Sequence, residues 1–355
     1  MKTELFGQNE PEKLEEYMKK INHNFIKNPN FKYKSEIINV DYYYRNVDVF
    51  EIYTSFIDKK LYIASPNNDN NNLDIFSLIE NKKILSLQNK KRNKTKSVKY
   101  FFNKKNYNEY LVSIDEWENA YIWDISNNYQ LKYKINYDCS HCILIFLEKN
   151  NDYIITSQRA TSLGDSTYTK LYYFNDCSFI QYLDKTNEAQ IEHLLYWFNK
   201  KDNKNYIIQI ALGKILIHDF LENKLYTELV NYEYSEHKSG FIYNKDSIDY
   251  LCVSSYDGKN IIEIWDLLNK NLFKIFTDID SYITCIIRWN YRYILISDME
   301  HKCLKVFDLI NEKIISKIEI GEKYIGCLKK FYHPIYGESL LTAGKDNKIK
   351  LWIIY

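Results

Sequence analysis

A short β-rich phrase ending in an aromatic residue and an Asp-like residue recurs seven times in this chain, about every 45 residues. Its register positions are read as Phe76-Ser77, Trp123-Asp124, Phe174-Asn175, His218-Asp219, Trp265-Asp266, Phe307-Asp308 and Trp352-Ile353. A second feature runs in phase with it. The first strand of each unit ends on an aromatic followed by a polar residue, as in Phe102-Asn103, Phe198-Asn199, Tyr243-Asn244, Trp289-Asn290 and Tyr332-His333. A period of this size excludes most single-core folds and predicts a radial array of four-stranded sheets. It specifies a platform and says little about what binds there.

The unit beginning near residue 239 shows the grammar. SGFIYN (239–244) and DYLCVSS (249–255) read as first and second strands, and NIIEIWDL (260–267) and NLFKIFT (271–277) as third and fourth. Each run is β-branched or aromatic and is bounded by Asn, Asp, Gly or Lys. The sequence ends just after the third strand of its last unit, while 32–40 (KYKSEIINV) reads as a strand without a unit. An open ring would leave an exposed sheet edge. The expected fold is therefore all-β: a seven-bladed β-propeller of four-stranded antiparallel blades, its last blade completed by the N-terminal strand. Residues 32–355 would form the ring and 1–31 an extension. Within that extension, 10–21 (EPEKLEEYMKKI) has the apolar spacing of a short amphipathic helix.

These residues resemble the WD-repeat β-propellers over 32–355. In that family a His before the first strand, a Ser or Thr in the second, a turn Asp and the Trp form a hydrogen-bonded brace. The resemblance implies His237, Ser254 or Ser255, Asp257 and Trp265 in blade five, and Thr342, Asp346 and Trp352 in blade seven. It also implies that partners bind at loops around the central channel. The Arg that follows Trp-Asp in ubiquitin-ligase receptors of this type is absent, since Ser126 and Leu268 stand there. The paired arginines of phosphoinositide-binding propellers are absent too, because Arg occurs only at 45, 92, 159, 288 and 292.

Charge narrows the function classes. The chain has 48 basic and 47 acidic residues, so no global field draws it to nucleic acid or anionic membrane. No apolar run is long enough to span a bilayer, and MKTELFGQNEPEKLEE has no secretory core. The seven cysteines are odd in number and scattered, as in an intracellular protein, cytoplasmic or nuclear, with reduced thiols.

Candidate chemistry is sparse. Cys139, His141 and Cys142 could form half of a zinc site, but no second pair exists to complete it. Gly321 to Gly326 has phosphate-loop glycine spacing, yet Cys327 and Leu328 replace the required Lys and Ser/Thr. No catalytic constellation, cofactor or small-molecule substrate is expected. Residues 89–99 hold six cationic side chains in eleven positions, with Lys90, Lys91, Arg92, Lys94 and Lys96 as polyanion-binding candidates. That stretch lacks interleaved aromatics to stack on bases. Trp117, in an acidic turn, and Tyr256, Tyr282, Tyr324, Lys345 and Arg159 are expected near loops and are the candidates for partner binding. The reading is a non-catalytic scaffold that binds a protein or peptide, as a subunit of a larger assembly. The alternative is a polyanion-binding propeller that uses 89–99.

Overall fold

The computed structural model describes residues 31–39, 49–67, 71–88, 95–115, 119–136, 142–158, 167–186, 191–230, 236–256, 259–277, 279, 282–320, 325–344, 346 and 348–354. They form seven four-stranded antiparallel sheets. Blades one to six are consecutive meanders over 51–87, 95–135, 143–186, 191–229, 236–276 and 283–319. Blade seven takes three strands from 325–354 and its outer strand from Phe31–Asn39, which pairs antiparallel with Lys348–Ile354. The expected closure is thus present. The segment read as a helix, 10–21, lies outside the described residues.

The core is seven apolar seams between blades rather than one central core. Second strands such as Leu61–Pro66 and Tyr293–Asp298 are buried throughout, because each is covered on both faces by a neighbouring blade. Ile63, Leu61, Val49 and Phe50 of blade one pack against Leu341, Leu351 and Ile353 of blade seven, which closes the ring. First strands of successive blades touch one another, so they are the innermost element.

Why the aromatic–Asp phrase repeats is visible in the turns. The Asp is a turn cap: Asp124, Asp219, Asp266 and Asp308 accept from backbone amides two or three residues on, in the third-to-fourth turn. The aromatic coincides with a bulge. Register shifts fall just before Phe76, Trp123, His218, Trp265 and Phe307, and the blade-seven shift lies opposite Trp352. Blade three has two register shifts, before Lys170 and before Tyr172, and none at Phe174. The blade-three register read from sequence is therefore two residues late. Phe174 lies beyond the third strand and fills the seam with blade two, its ring 4.7 Å from Phe101 and 5.0 Å from Tyr110.

Of the brace implied by the resemblance, the bond from Trp to the second-strand hydroxyl is present in blades two and seven. Trp123 donates to Ser113 at 2.9 Å and Trp352 to Thr342 at 3.0 Å. Blade five differs. Trp265 sits opposite Leu251, so the residue two further along the same face is Val253, not Ser254 or Ser255. The indole turns instead to Glu263 (2.8 Å), whose carboxylate also faces His237 at 3.4 Å. Ser254 donates to the Ser239 carbonyl. Asp346 is exposed and serves its own turn, accepting from the Lys348 amide and pairing with Lys350. Asp257 lies outside the described residues.

Blade two and two further blades, one and six, use a brace that the sequence reading missed. The last residue of the second strand, or the one just after it, binds the residue two before the aromatic position: Asn67 to Asp74 (2.5 Å), Tyr121 to Asp115 (3.0 Å) and Lys305 to Asp298 (2.6 Å). Blade four has neither brace. His218 and Gln209 occupy the Trp and Ser places, both buried and without a side-chain hydrogen-bond partner among the described residues.

Two predictions follow from this architecture. Deleting residues 1–39 leaves Lys348–Ile354 as a bare edge. The truncated chain should melt at lower temperature and elute as oligomers, and an unchanged melt with monomeric elution contradicts the closure. Burial pushes the His218 imidazole down to about 4. An unfolded imidazole titrates near 6.5, so between about 4 and 6.5 the unfolded chain takes up a proton that the folded chain refuses. The stability contribution of this group is full above about 6.5 and is lost as pH falls toward 4. His218→Phe should thus gain about 2 kcal/mol over wild type at pH 5 relative to pH 7.5 in urea titrations. Parallel pH profiles for the two proteins would show that His218 is hydrated in solution.

Candidate functional site

The meander divides the ring into two ends. First-to-second and third-to-fourth turns lie at one end, and second-to-third turns and inter-blade connections at the other. Of the partner-binding candidates chosen from sequence, the described Tyr256 and Tyr282 belong to the second end. Trp117, Arg159, Tyr324 and Lys345 lie outside the described residues, as do Lys90, Lys91, Arg92 and Lys94. Lys96 is half-buried in the first strand of blade two. Tyr256 and Tyr282 are brought together between blades five and six, ring centroids 5.6 Å apart. Cys142 is buried, its thiol 3.0 Å from the Glu192 carbonyl, while Cys139 and His141 are not described. Gly326 enters a strand, as the failed phosphate-loop reading anticipated. Among the described residues no cluster of three His, Cys, Asp or Glu could hold a metal ion. No helix among them is long and apolar enough to cross a membrane.

At the other end every first-to-second turn is described, and this end carries a feature absent from the sequence reading. In blade one the turn Ser55-Phe56-Ile57-Asp58-Lys59-Lys60 folds back on itself. The Ser55 amide donates to the Lys60 carbonyl at 2.9 Å and the Lys59 amide to the Ser55 carbonyl at 3.0 Å. Lys59 takes a left-handed φ of 60° to close it. The exposed amides of this turn are captured by Glu109, the first buried residue of blade two's second strand. Its carboxylate accepts from Phe56 N (2.7 Å), Ile57 N (3.2 Å), Ser55 Oγ (2.9 Å) and Tyr100 OH (2.7 Å). Four neutral donors satisfy a fully buried charge, as burial of a carboxylate requires. Burial first, then the bond to Glu109, raises the Tyr100 phenol and keeps it a donor.

Held by those bonds, the side chains of Phe56 and Ile57 point to solvent, 44% and 57% exposed. Phe56 packs on Phe102 (4.6 Å) and near Tyr107 (6.1 Å), itself 63% exposed. The Lys59 ammonium sits over the Phe56 ring at 3.6 Å. Further exposed apolar residues end the first strands of other blades: Leu147, Phe198 and Tyr332 stand at the same ladder position as Phe102. Because first strands are innermost, these residues gather at the channel mouth.

The repeated aromatic–polar ending of the first strand now has a physical account. Asn103, Asn199, Asn290 and His333 cap the first-to-second turn by accepting from amides two residues on. The aromatic before the cap is left at the rim in blades two, four and seven. Polar contacts across the seams stiffen the same end. Asn103 donates to Asp152 at 2.5 Å, Asn205 and Tyr196 both donate to Glu148, and Trp197 donates to Asp249 at 3.1 Å. A sequence signal for this was present in the dipeptides Glu109-Tyr110, Asp152-Tyr153, Asn205-Tyr206 and Asp249-Tyr250, which open four second strands.

The class of protein that the fold defines is a seven-bladed β-propeller. No known protein-family model matches the chain, and no curated protein matches it significantly.

Glu109→Ala strips the acceptor from two backbone amides and two hydroxyls. We expect a loss of about 3–5 kcal/mol in urea unfolding, with faster hydrogen exchange at the Phe56 and Ile57 amides. A loss below about 1 kcal/mol with exchange unchanged would mean that the turn is held by its own bonds.

Proposed function

We propose that this chain is a non-catalytic binding platform that holds a protein or peptide segment at the channel mouth formed by its first-to-second turns. One observation carries the reading: the Phe56, Phe102 and Tyr107 cluster is solvent-facing, yet its turn is pinned by a buried carboxylate. Fixed, exposed aromatics lose little conformational freedom on binding, which is why such residues anchor interfaces. The braces Trp123–Ser113 and Trp352–Thr342 support a WD-repeat-type propeller, a class in which resemblance implies partner binding within assemblies. The polyanion alternative draws on a set of which only Lys96 is described. An intracellular setting, cytoplasmic or nuclear, is part of the same proposal and rests on the six free cysteines among the described residues, five of them buried.

Phe56→Ser with Tyr107→Ser should leave the melting temperature within a few degrees of wild type. Recovery of the native partner should fall by about tenfold or more. Tyr256→Ala, at the other end, should leave recovery unchanged. The reverse pattern would move the binding site to the opposite end of the ring.

A further inference from the structure

Resting on that platform reading, the charge pattern around the mouth specifies the partner's chemistry. The first-to-second turns of blades one to five carry the exposed Lys59, Lys104, Lys105, Lys149, Lys200 and Lys245. Lys104, Lys149, Lys200 and Lys245 have no ion-pair partner among the described residues. The exposed carboxylates of the same turns are fewer, Asp58, Asp202 and Asp246. Asp58 accepts from the Tyr62 hydroxyl (2.5 Å) and the Lys60 amide, and Asp202 from the Tyr206 hydroxyl (2.6 Å) and Asn199. Glu109, Glu148 and Asp152 are buried beneath the turns and hydrogen-bonded there. The exposed layer of these turns thus carries more ammonium than carboxylate groups around an apolar centre.

We infer that the mouth selects an acidic peptide segment bearing apolar anchors: aromatic or aliphatic side chains on the Phe56 cluster, carboxylates on the surrounding lysines. Two observations separate this from a nucleic acid. The Lys59 ammonium sits over the centre of the Phe56 ring and Phe102 packs on it at a tilt, so no flat face is presented to a base, while the exposed Ile57 and Tyr107 side chains stay open to apolar anchors. The one arginine of these turns, Arg292, is spent on Asp308 through its Nε (2.9 Å) and Nη2 (2.6 Å). No free guanidinium fork is left there for phosphate or base edges. Mobile ammonium groups around a fixed apolar patch suit carboxylates dispersed along a peptide.

The test is selection of a random dodecapeptide display library on the immobilised full chain. It is repeated on Phe56→Ser/Tyr107→Ser and on Lys104→Glu/Lys105→Glu/Lys200→Glu, both checked for an unchanged melt. The expected result is enrichment of peptides combining Asp or Glu with Trp, Phe or Leu, lost on both variants. A synthesised winner should bind the charge-reversed chain about tenfold more weakly and lose affinity as salt rises. Apolar winners without acidic enrichment, bound equally by the charge-reversed chain, would overturn the acidic inference and leave the platform standing. No enrichment over the Phe56→Ser/Tyr107→Ser chain would overturn both. Oligouridylate or phosphatidylserine vesicles that bind at physiological salt and displace the winner would also overturn it, assigning the cationic ring to phosphate.

Discussion

Everything in this molecule depends on a sheet being covered on both faces. A four-stranded blade with an apolar second strand has no solvent side to offer. Each blade is stable only between two others, and the array has to close. Closure is covalently economical: Phe31–Asn39 joins Lys348–Ile354, so the two ends of the described chain share one sheet. The seam between blades seven and one is as apolar as the others, with Val49 and Phe50 fully buried against Leu341 and Leu351.

Polar contacts then fix how the blades sit within that constraint. Carboxylates at the end of the first-to-second turns reach across seams or are reached across them, as the buried Glu109, Glu148 and Asp152 and the half-buried Asp249 show. Each contributes modestly where satisfied, and each would be costly if left alone. Their consequence for function is positional. The Phe56 turn belongs to blade one, but its amides are held by blade two, so the exposed cluster spans a seam and moves with neither blade separately.

The architecture was readable from the sequence because it is periodic. The seven units, their antiparallel strands and the borrowed strand all come from spacing and from where apolar runs start and stop. Details that depend on single-residue register were not readable. Ser254 and Ser255 looked like brace hydroxyls, yet Val253 holds the inward position, and strand alternation leaves no tolerance for a slip of one. Phe174 resembled the register aromatic because blade three places its turn cap later, at Asp176. The exposed cluster was hidden for a different reason. Phe56 lies one blade away from Phe102 and Tyr107, and only the closeness of successive first strands brings it to them. Glu109-Tyr110 and its three counterparts were in plain view, but a polar residue before a tyrosine acquires meaning only once a seam lies above it.

Covalent footprinting of tyrosine and phenylalanine tests the account most directly, comparing the isolated chain with the chain in gently lysed native extract. Labelling at Phe56, Phe102, Tyr107, Phe198 and Tyr332 should fall together in the extract, while Tyr256 and Tyr282 stay as reactive as in isolation. Unchanged labelling at the first group, or protection confined to the second, would contradict a binding surface at this mouth of the ring.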